Sequence, residues 1–209
     1  MFTGFPEAAL DFYDDLEMDN SRTFFQAHRH IYDTAVLAPM RALTDLLADE
    51  FGPAKIYRPH RDLRFSKDKS PYKTHQGAVV PTAPSAGYYV EVSAAGVRVA
   101  GGFYHAEPDR LAALRTAIDH ELYGPELERI VAALTADGFV LGGDRLKTAP
   151  RGYPRDHPRI ALLRHRSLTA TFDYGFAPLV HTAALADRVR AHWRALTPLQ
   201  EWITRHGAH

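Results

Sequence analysis

Gln76-Gly-Ala-Val-Val-Pro81, Gly87-Tyr-Tyr-Val-Glu-Val-Ser93 and Gly96-Val-Arg-Val-Ala-Gly-Gly-Phe103 are three short runs rich in Val and Tyr, set apart by Gly, Pro and Ser. Such residues fit a pleated, half-buried surface and the punctuation marks turns, so the runs predict consecutive antiparallel strands. Ala94-Ala95-Gly96 supplies a tight hairpin connection between the last two. Upstream the period changes to that of a helix. Phe5, Leu10, Phe12, Tyr13 and Leu16 form one stripe, and Phe24, Phe25, His28, Ile31 and Tyr32 begin a second helix behind an Asn20-Ser21 cap. The helical pattern resumes through Val36, Met40, Leu43, Leu47 and Phe51, with a kink or break expected at Pro39 and an end at Gly52-Pro53. Ile56 to Phe65 has room for a further strand. Downstream, Pro108 opens a helix, Gly138 closes another, and Phe139–Leu141 and Leu168–Tyr174 read as strands. Ile160–Arg166 reads as a short helix, and Ala177–His206 as a long one with an interruption near Thr197-Pro198. The fold class is α+β: an antiparallel-rich central sheet flanked by N-terminal, middle and C-terminal helices in a single domain over 1–209.

Composition narrows the chemistry. The 209 residues are 45% hydrophobic, enough for a full core, and contain no cysteine, which removes disulfides, thiolate metal sites and Cys nucleophiles. The N-terminus lacks the pattern of a signal peptide and no apolar run is long enough to span a bilayer, so a cytoplasmic protein without a membrane partner is expected. Phosphate-binding Gly-Lys-Ser/Thr loops, dinucleotide fingerprints, His-Glu-x-x-His and Gly-x-Ser-x-Gly are all absent.

The net charge is zero, with 25 basic and 25 acidic residues, but the charge is sorted. Residues 55–75 and 145–166 hold fourteen of the basic residues and three of the acidic ones. A neutral protein sorted this way can focus a local positive field. In the first segment, an extended run over 57–65 puts Arg58, His60, Asp62 and Arg64 on one face and Tyr57, Arg61, Leu63 and Phe65 on the other. Asp62 then orients Arg64, the planar guanidiniums of Arg58, Arg61 and Arg64 suit a phosphate or carboxylate, and Lys67, Lys69 and Lys73 add mobile charge. Tyr72 is a candidate for proton transfer. The plain alternative is a loop pinned by its own salt bridges.

This run, Arg58-Pro-His-Arg61-Asp62-Leu-Arg64-Phe65-Ser-Lys-Asp-Lys-Ser-Pro-Tyr72-Lys73-Thr-His75, resembles the signature of a bacterial family catalogued as domain of unknown function 2461. Asn20 with Phe24-Phe25 is similar to that family's helix start, although the family often has Trp where Phe24 stands. Gly87-Tyr88-Tyr89, Gly101-Gly102-Phe103-Tyr104, Pro150-Arg151-Gly152-Tyr153 and Asp156-His157-Pro158 fit as well, so the resemblance covers nearly the whole chain. It implies which residues matter and brings no reaction with it.

A second constellation lies in Lys147-Thr-Ala-Pro-Arg151-Gly152-Tyr153-Pro-Arg155-Asp156-His157. Gly152 permits close approach to a ligand, Lys147 and Arg151 are anion clamps, and Tyr153 and His157 are candidates for acid–base work. A rigid loop packing Tyr153 is the alternative. The twelve histidines are poorly spaced for a metal, and no metal or cofactor is expected. The Tyr88-Tyr89 and Phe103-Tyr104 pairs read as sheet packing rather than base-stacking platforms.

Three functions share these residues. The first is binding of an anionic small molecule, phosphorylated or carboxylated, with or without a reaction. The second is nucleic-acid binding through the same cations. The third is an interaction module with a structural salt-bridge network. Nucleic acid is disfavoured because the rest of the chain carries 22 acidic residues against eleven basic ones. Duplex DNA is therefore expected to bind weakly or not at all at physiological salt. Submicromolar, salt-sensitive binding in a fluorescence anisotropy titration would reverse the order of the first two functions.

Overall fold

The computed structural model describes residues 1–62, 64 and 68–207. Helix α1 (Glu7–Met18) is followed by α2 (Arg22–Ala27), α3 (Arg29–Ile31), a π-helical turn (Tyr32–Leu37) and α4 (Ala38–Phe51). Strands β1 (Lys55–Ile56), β2 (His75–Ala83), β3 (Ala86–Ser93) and β4 (Gly96–Phe103) come next, then α5 (Pro108–Asp119) and α6 (Tyr123–Ala136). The chain continues with β5 (Val140–Gly142), α7 (Ile160–Leu163), β6 (Leu168–Gly175), a 3-10 turn (Pro178–His181) and α8 (Leu185–His206). The strands form one antiparallel sheet in the order β1-β2-β3-β4-β6-β5, so the fold is α+β as expected. No helix among the described residues is long and apolar enough to cross a membrane.

Two compact units divide the chain. The first comprises 1–80, 89–99 and 173–191, and the second 81–88, 100–172 and 192–209. In the first unit Val90, Val92, Val97 and Val99 are fully buried, as are Leu16, Val36, Met40 and Leu43 of the N-terminal helices. Arg98, between two of these valines, is exposed, which is the alternation of a strand with one solvated face. In the second unit the buried stripe of α8 carries Trp193, Leu196, Leu199, Trp202 and Ile203. Tyr88 stacks on Trp193 with ring centroids 5.5 Å apart, so this tyrosine is packing material. Helix α8 passes through Pro198 without ending, and the break in the C-terminal helical region falls earlier, between the 3-10 turn and Leu185.

Local signals explain most boundaries. Ser21 caps α2 by accepting from the Phe24 N–H at 3.1 Å. Gly52, with φ +97°, ends α4 in a conformation that L-residues avoid. Pro39 lacks an N–H, and its ring crowds the carbonyl four residues back. The chain meets this with the widened turn over Tyr32–Leu37 and stays helical, so the interruption expected at Pro39 takes the form of a π turn.

The segment from Tyr57 to His75 prolongs the β1–β2 pair as an irregular hairpin. Tyr57 donates to Gly77, Arg61 to Pro71 and Lys73 to Pro59 through their backbone N–H groups, and His60 bridges Tyr72. Two amide side chains hold it. Asn20 accepts from the Tyr72 N–H at 3.1 Å and donates to the Tyr72 carbonyl at 3.0 Å, as a neighbouring strand would. Buried Gln76 accepts from the Tyr32 hydroxyl at 2.7 Å and donates to the carbonyls of Tyr57 and Gly77 at 2.7 and 3.0 Å. Asn20 thus serves the hairpin while Ser21 alone caps the helix. Asn20→Ala leaves the part-buried N–H of Tyr72 unpaired, and its carbonyl with only the long Arg61 contact, and is expected to cost about 1–3 kcal/mol. A urea denaturation curve with an unchanged slope and a lower midpoint checks this.

Candidate functional site

Beside the hairpin, within the first unit, lies a cleft of ≈ 300 Å³ lined by Arg29, Asp33, Arg41, Tyr57, Arg58 and His60, with Phe25 and Tyr32 also contributing. Arg29, Asp33, Leu37 and Arg41 recur every fourth residue and all reach it. A straight α-helix turns about 100° per residue, so twelve residues would leave Arg41 roughly 120° around the axis from Arg29. The π turn between them packs more residues into each turn and closes part of that gap. Arg29 pairs loosely with Asp33 at 3.4 Å, while Arg58 turns an exposed guanidinium to the cleft. Tyr32, whose hydroxyl is committed to Gln76, is pushed up to about 12, first by burial and then by Asp33.

Lys73 links this cleft to the rest of the hairpin. Its Nζ donates to the Arg58 carbonyl at 3.2 Å and sits 5.0 Å from the centre of the Tyr57 ring. Burial lowers the pKa of this ammonium, and Arg58 and Arg61 lower it further. Among the described residues, the charges acting on Lys73 are these two cations, and no carboxylate is among them.

The other residues of the run are engaged locally. Arg64 grips Asp62 with Nε at 3.0 Å and Nη2 at 2.6 Å, so these two residues do share a face. Both are exposed, and the guanidinium bonds hold Asp62 down to about 2. Arg61 pairs with Asp68 and donates to the Tyr72 carbonyl at 3.4 Å, and its Nε is buried with no partner among the described residues. Tyr72 is 4% exposed and its ring stacks on Phe25 at 4.0 Å, which makes it an anchor of the hairpin. Lys69 is exposed, and Lys67, Leu63 and Phe65 lie outside the described residues.

The second basic segment belongs to the second unit, where its arginines meet carbonyl groups. Arg159 donates to Ile118 at 2.6 Å and Asp119 at 2.8 Å, the last carbonyls of α5. Arg115 of α5 donates in return to Leu163 at the end of α7, at 3.1 Å. Each cation satisfies orphan carbonyls at the negative end of the other helix. Arg164 donates to Leu146 and Lys147, both at 2.7 Å, and Arg166 pairs with Asp144. His157 bonds Asp119 at 2.8 Å through Nε2 and accepts the Arg159 N–H at 3.0 Å through Nδ1, so both ring nitrogens are occupied. Tyr153 lies edge-on to His157 at 6.2 Å. Gly152 has φ +92° with open space where a Cβ would stand, and Arg151 is exposed beside it. Lys147 is exposed as well.

One group of residues escaped sequence reading. Glu91 of β3 is 5% exposed and accepts from Tyr89 Oη at 2.6 Å and Arg98 Nη2 at 2.9 Å, with His75 Nε2 at 3.7 Å. Gly77 leaves room for this arrangement, because a Cβ there would lie 2.3 Å from the Tyr89 hydroxyl. Burial and Glu91 raise the Tyr89 phenol well above its ordinary value. The signal available in sequence was a lone carboxylate inside the Val-rich run 88–92, since buried charges are informative where buried valines are not. No group of three or more acidic or histidine side chains among the described residues is arranged to hold a metal ion.

An antiparallel α+β protein whose cations sort into a field around one cleft and a set of helix-end struts is the class these features define. The chain belongs to the family described as conserved hypothetical protein (DUF2461), whose model matches residues 8–202. No curated protein and no solved structure matches the chain.

Because the Asp62–Arg64 pair is exposed, its removal should leave the fold alone. Arg64→Ala is expected to return the Asp62 carboxyl from about 2 toward the ordinary range while leaving the melting temperature unchanged. Carbon-detected NMR titration and a thermal melt check the two halves.

Proposed function

We propose that the chain binds an anionic small molecule, phosphorylated or carboxylated, at the cleft beside the 57–75 hairpin. The observation that carries this reading is the crowding of Arg58, Arg61 and Lys73, with Lys73 depressed by burial and by its two cationic neighbours. Like charges held together this way are costly until a counter-charge arrives, and a bound anion supplies one. Arg29 and Arg41 also line the cleft and extend the same field, as does His60 when charged. Arg58 and Lys73 are the principal contacts, and Arg61 contributes through its charge. Asp62, Arg64 and Lys69 tune the approach of the ligand at the hairpin. The second segment, with Lys147, Arg151, Gly152, Tyr153 and His157, has no part in this reading.

Inorganic phosphate, pyrophosphate and citrate are the probes. Each anion that binds should raise the melting temperature in proportion to its concentration relative to its dissociation constant. Arg58→Ala and Lys73→Ala should each weaken binding by about 1.5–3 kcal/mol, roughly ten- to a hundredfold, the worth of one charge-assisted hydrogen bond. Arg164→Ala, which removes a strut, should lower the melting temperature and leave the anion-induced rise intact. Binding that persists unchanged in both Arg58→Ala and Lys73→Ala would overturn the assignment.

A further inference from the structure

The lining of the cleft beside the hairpin is sorted by depth. Arg29, Arg41, Arg58 and His60 are exposed. Phe25 and Tyr32 are buried, and Leu37, Ile56 and Pro59 are half-buried. Charge thus gathers at the mouth, and carbon lies deeper. The deeper groups are held in place. The Phe25 ring stacks on Tyr72 at 4.0 Å and lies 5.2 Å from the Tyr32 ring. Tyr32 gives its hydroxyl proton to Gln76 at 2.7 Å, so it has none to offer a ligand. Leu37 stands out in its row, because Arg29, Asp33 and Arg41 at the same spacing are all charged. A leucine left half in water here realises only part of the worth of a buried one.

We infer that the anion bound here is carried on an apolar body, a single ring or a short branched chain, seated on Leu37, Ile56 and Pro59 with its charge among Arg29, Arg41 and Arg58. This rests on the anion-binding reading above and names the rest of the ligand. A bare inorganic ion reaches the guanidiniums and leaves the half-buried carbon of the cleft wet. An apolar body takes that surface out of water, which is favourable in proportion to the area covered. The volume of ≈ 300 Å³ is at the small end of sites for organic ligands, which limits the body to about one ring. A sugar phosphate of similar bulk meets the opposite situation. Its hydroxyls need hydrogen-bond partners, since a hydroxyl buried without one is costly. Among the described residues lining the cleft Asp33 is the one carboxylate, and Arg29 already leans on it at 3.4 Å.

Isothermal titration of the full chain with methyl phosphate, phenyl phosphate and ribose 5-phosphate separates body from head group, because all three are phosphate monoesters. Phenyl phosphate should bind roughly ten- to a hundredfold tighter than methyl phosphate, the worth of a few buried carbons. Ribose 5-phosphate should gain nothing over methyl phosphate. Benzoate against acetate repeats the comparison on a carboxylate, and the ring should win on whichever head group binds. Leu37→Ser should remove most of the ring's advantage and leave the affinity for the methyl compound unchanged, a split that general damage to the fold would not produce. Ile56→Ser is the second variant, should Leu37→Ser fail to fold. On the head group that binds, a ring no better than a methyl group would overturn the apolar body and leave anion binding standing. Ribose 5-phosphate as tight as phenyl phosphate would do the same. A ring advantage untouched by either serine variant would overturn the assignment to Leu37 and Ile56. Failure of every one of these anions, together with phosphate, pyrophosphate and citrate, to bind the wild type would remove both readings.

Discussion

A buried primary amide has two donors and a carbonyl oxygen to satisfy, and Gln76 satisfies them by joining three separate parts of the first unit. Its oxygen holds the π turn through Tyr32, and its nitrogen holds the carbonyl where β1 gives way to the irregular hairpin. Asn20 performs the corresponding task at the far side, presenting both halves of its amide to the backbone of Tyr72. Among the described residues of the hairpin from Tyr57 to His75 there is little regular ladder. Its placement depends on these amides and on the stack of Tyr72 on Phe25. The segment richest in charge is thus anchored by neutral groups, and among the described residues neither Arg58 nor Lys73 is ion-paired to a carboxylate.

Arginine is used in two opposite ways in this chain. In the second unit Arg115, Arg159 and Arg164 are spent on carbonyl oxygens, and their charge is absorbed by helix ends and loop backbone. By the cleft, Arg58 instead has the Lys73 ammonium beside it and Arg61 acting on that same ammonium, and the local field grows. Composition cannot distinguish these uses, since seven basic residues occur in each segment. What distinguishes them is the partner: a helix C-terminus attracts a guanidinium without requiring any ligand.

The same difference explains what sequence revealed. The strands from His75 to Phe103 were legible because their Val and Tyr residues serve the sheet locally, and the turn at Ala94-Ala95 is where Gly96 announces it. The α+β class followed from that. Asn20 has the position of a cap because it precedes a helix, yet its partner is 52 residues away, and no local pattern encodes that distance. Asp62 and Arg64 were legible as a pair because they lie two apart on extended chain. The cleft was illegible because Arg29 and Arg41 meet Arg58 only after the π turn has re-aimed the helix. Glu91 and His75 join across neighbouring strands, and their pairing depends on register, which the alternation of residues alone leaves open.

The π turn also bears on how this helix tolerates insertions and deletions. An extra residue accommodated inside a helix is often the lasting trace of an ancestral insertion, kept where it serves a site. Removing one residue between Tyr32 and Leu37 would let the ladder relax to ordinary α geometry at little cost in backbone bonding. Arg29 and Arg41 would then stand eleven residues apart on ordinary α-helix, about 20° from alignment around the axis, so both would still face the same way. Family members one residue shorter in this stretch would therefore keep this pair of arginines on one wall of the helix. A single-residue gap in an alignment here would mark a mended ladder rather than a lost face.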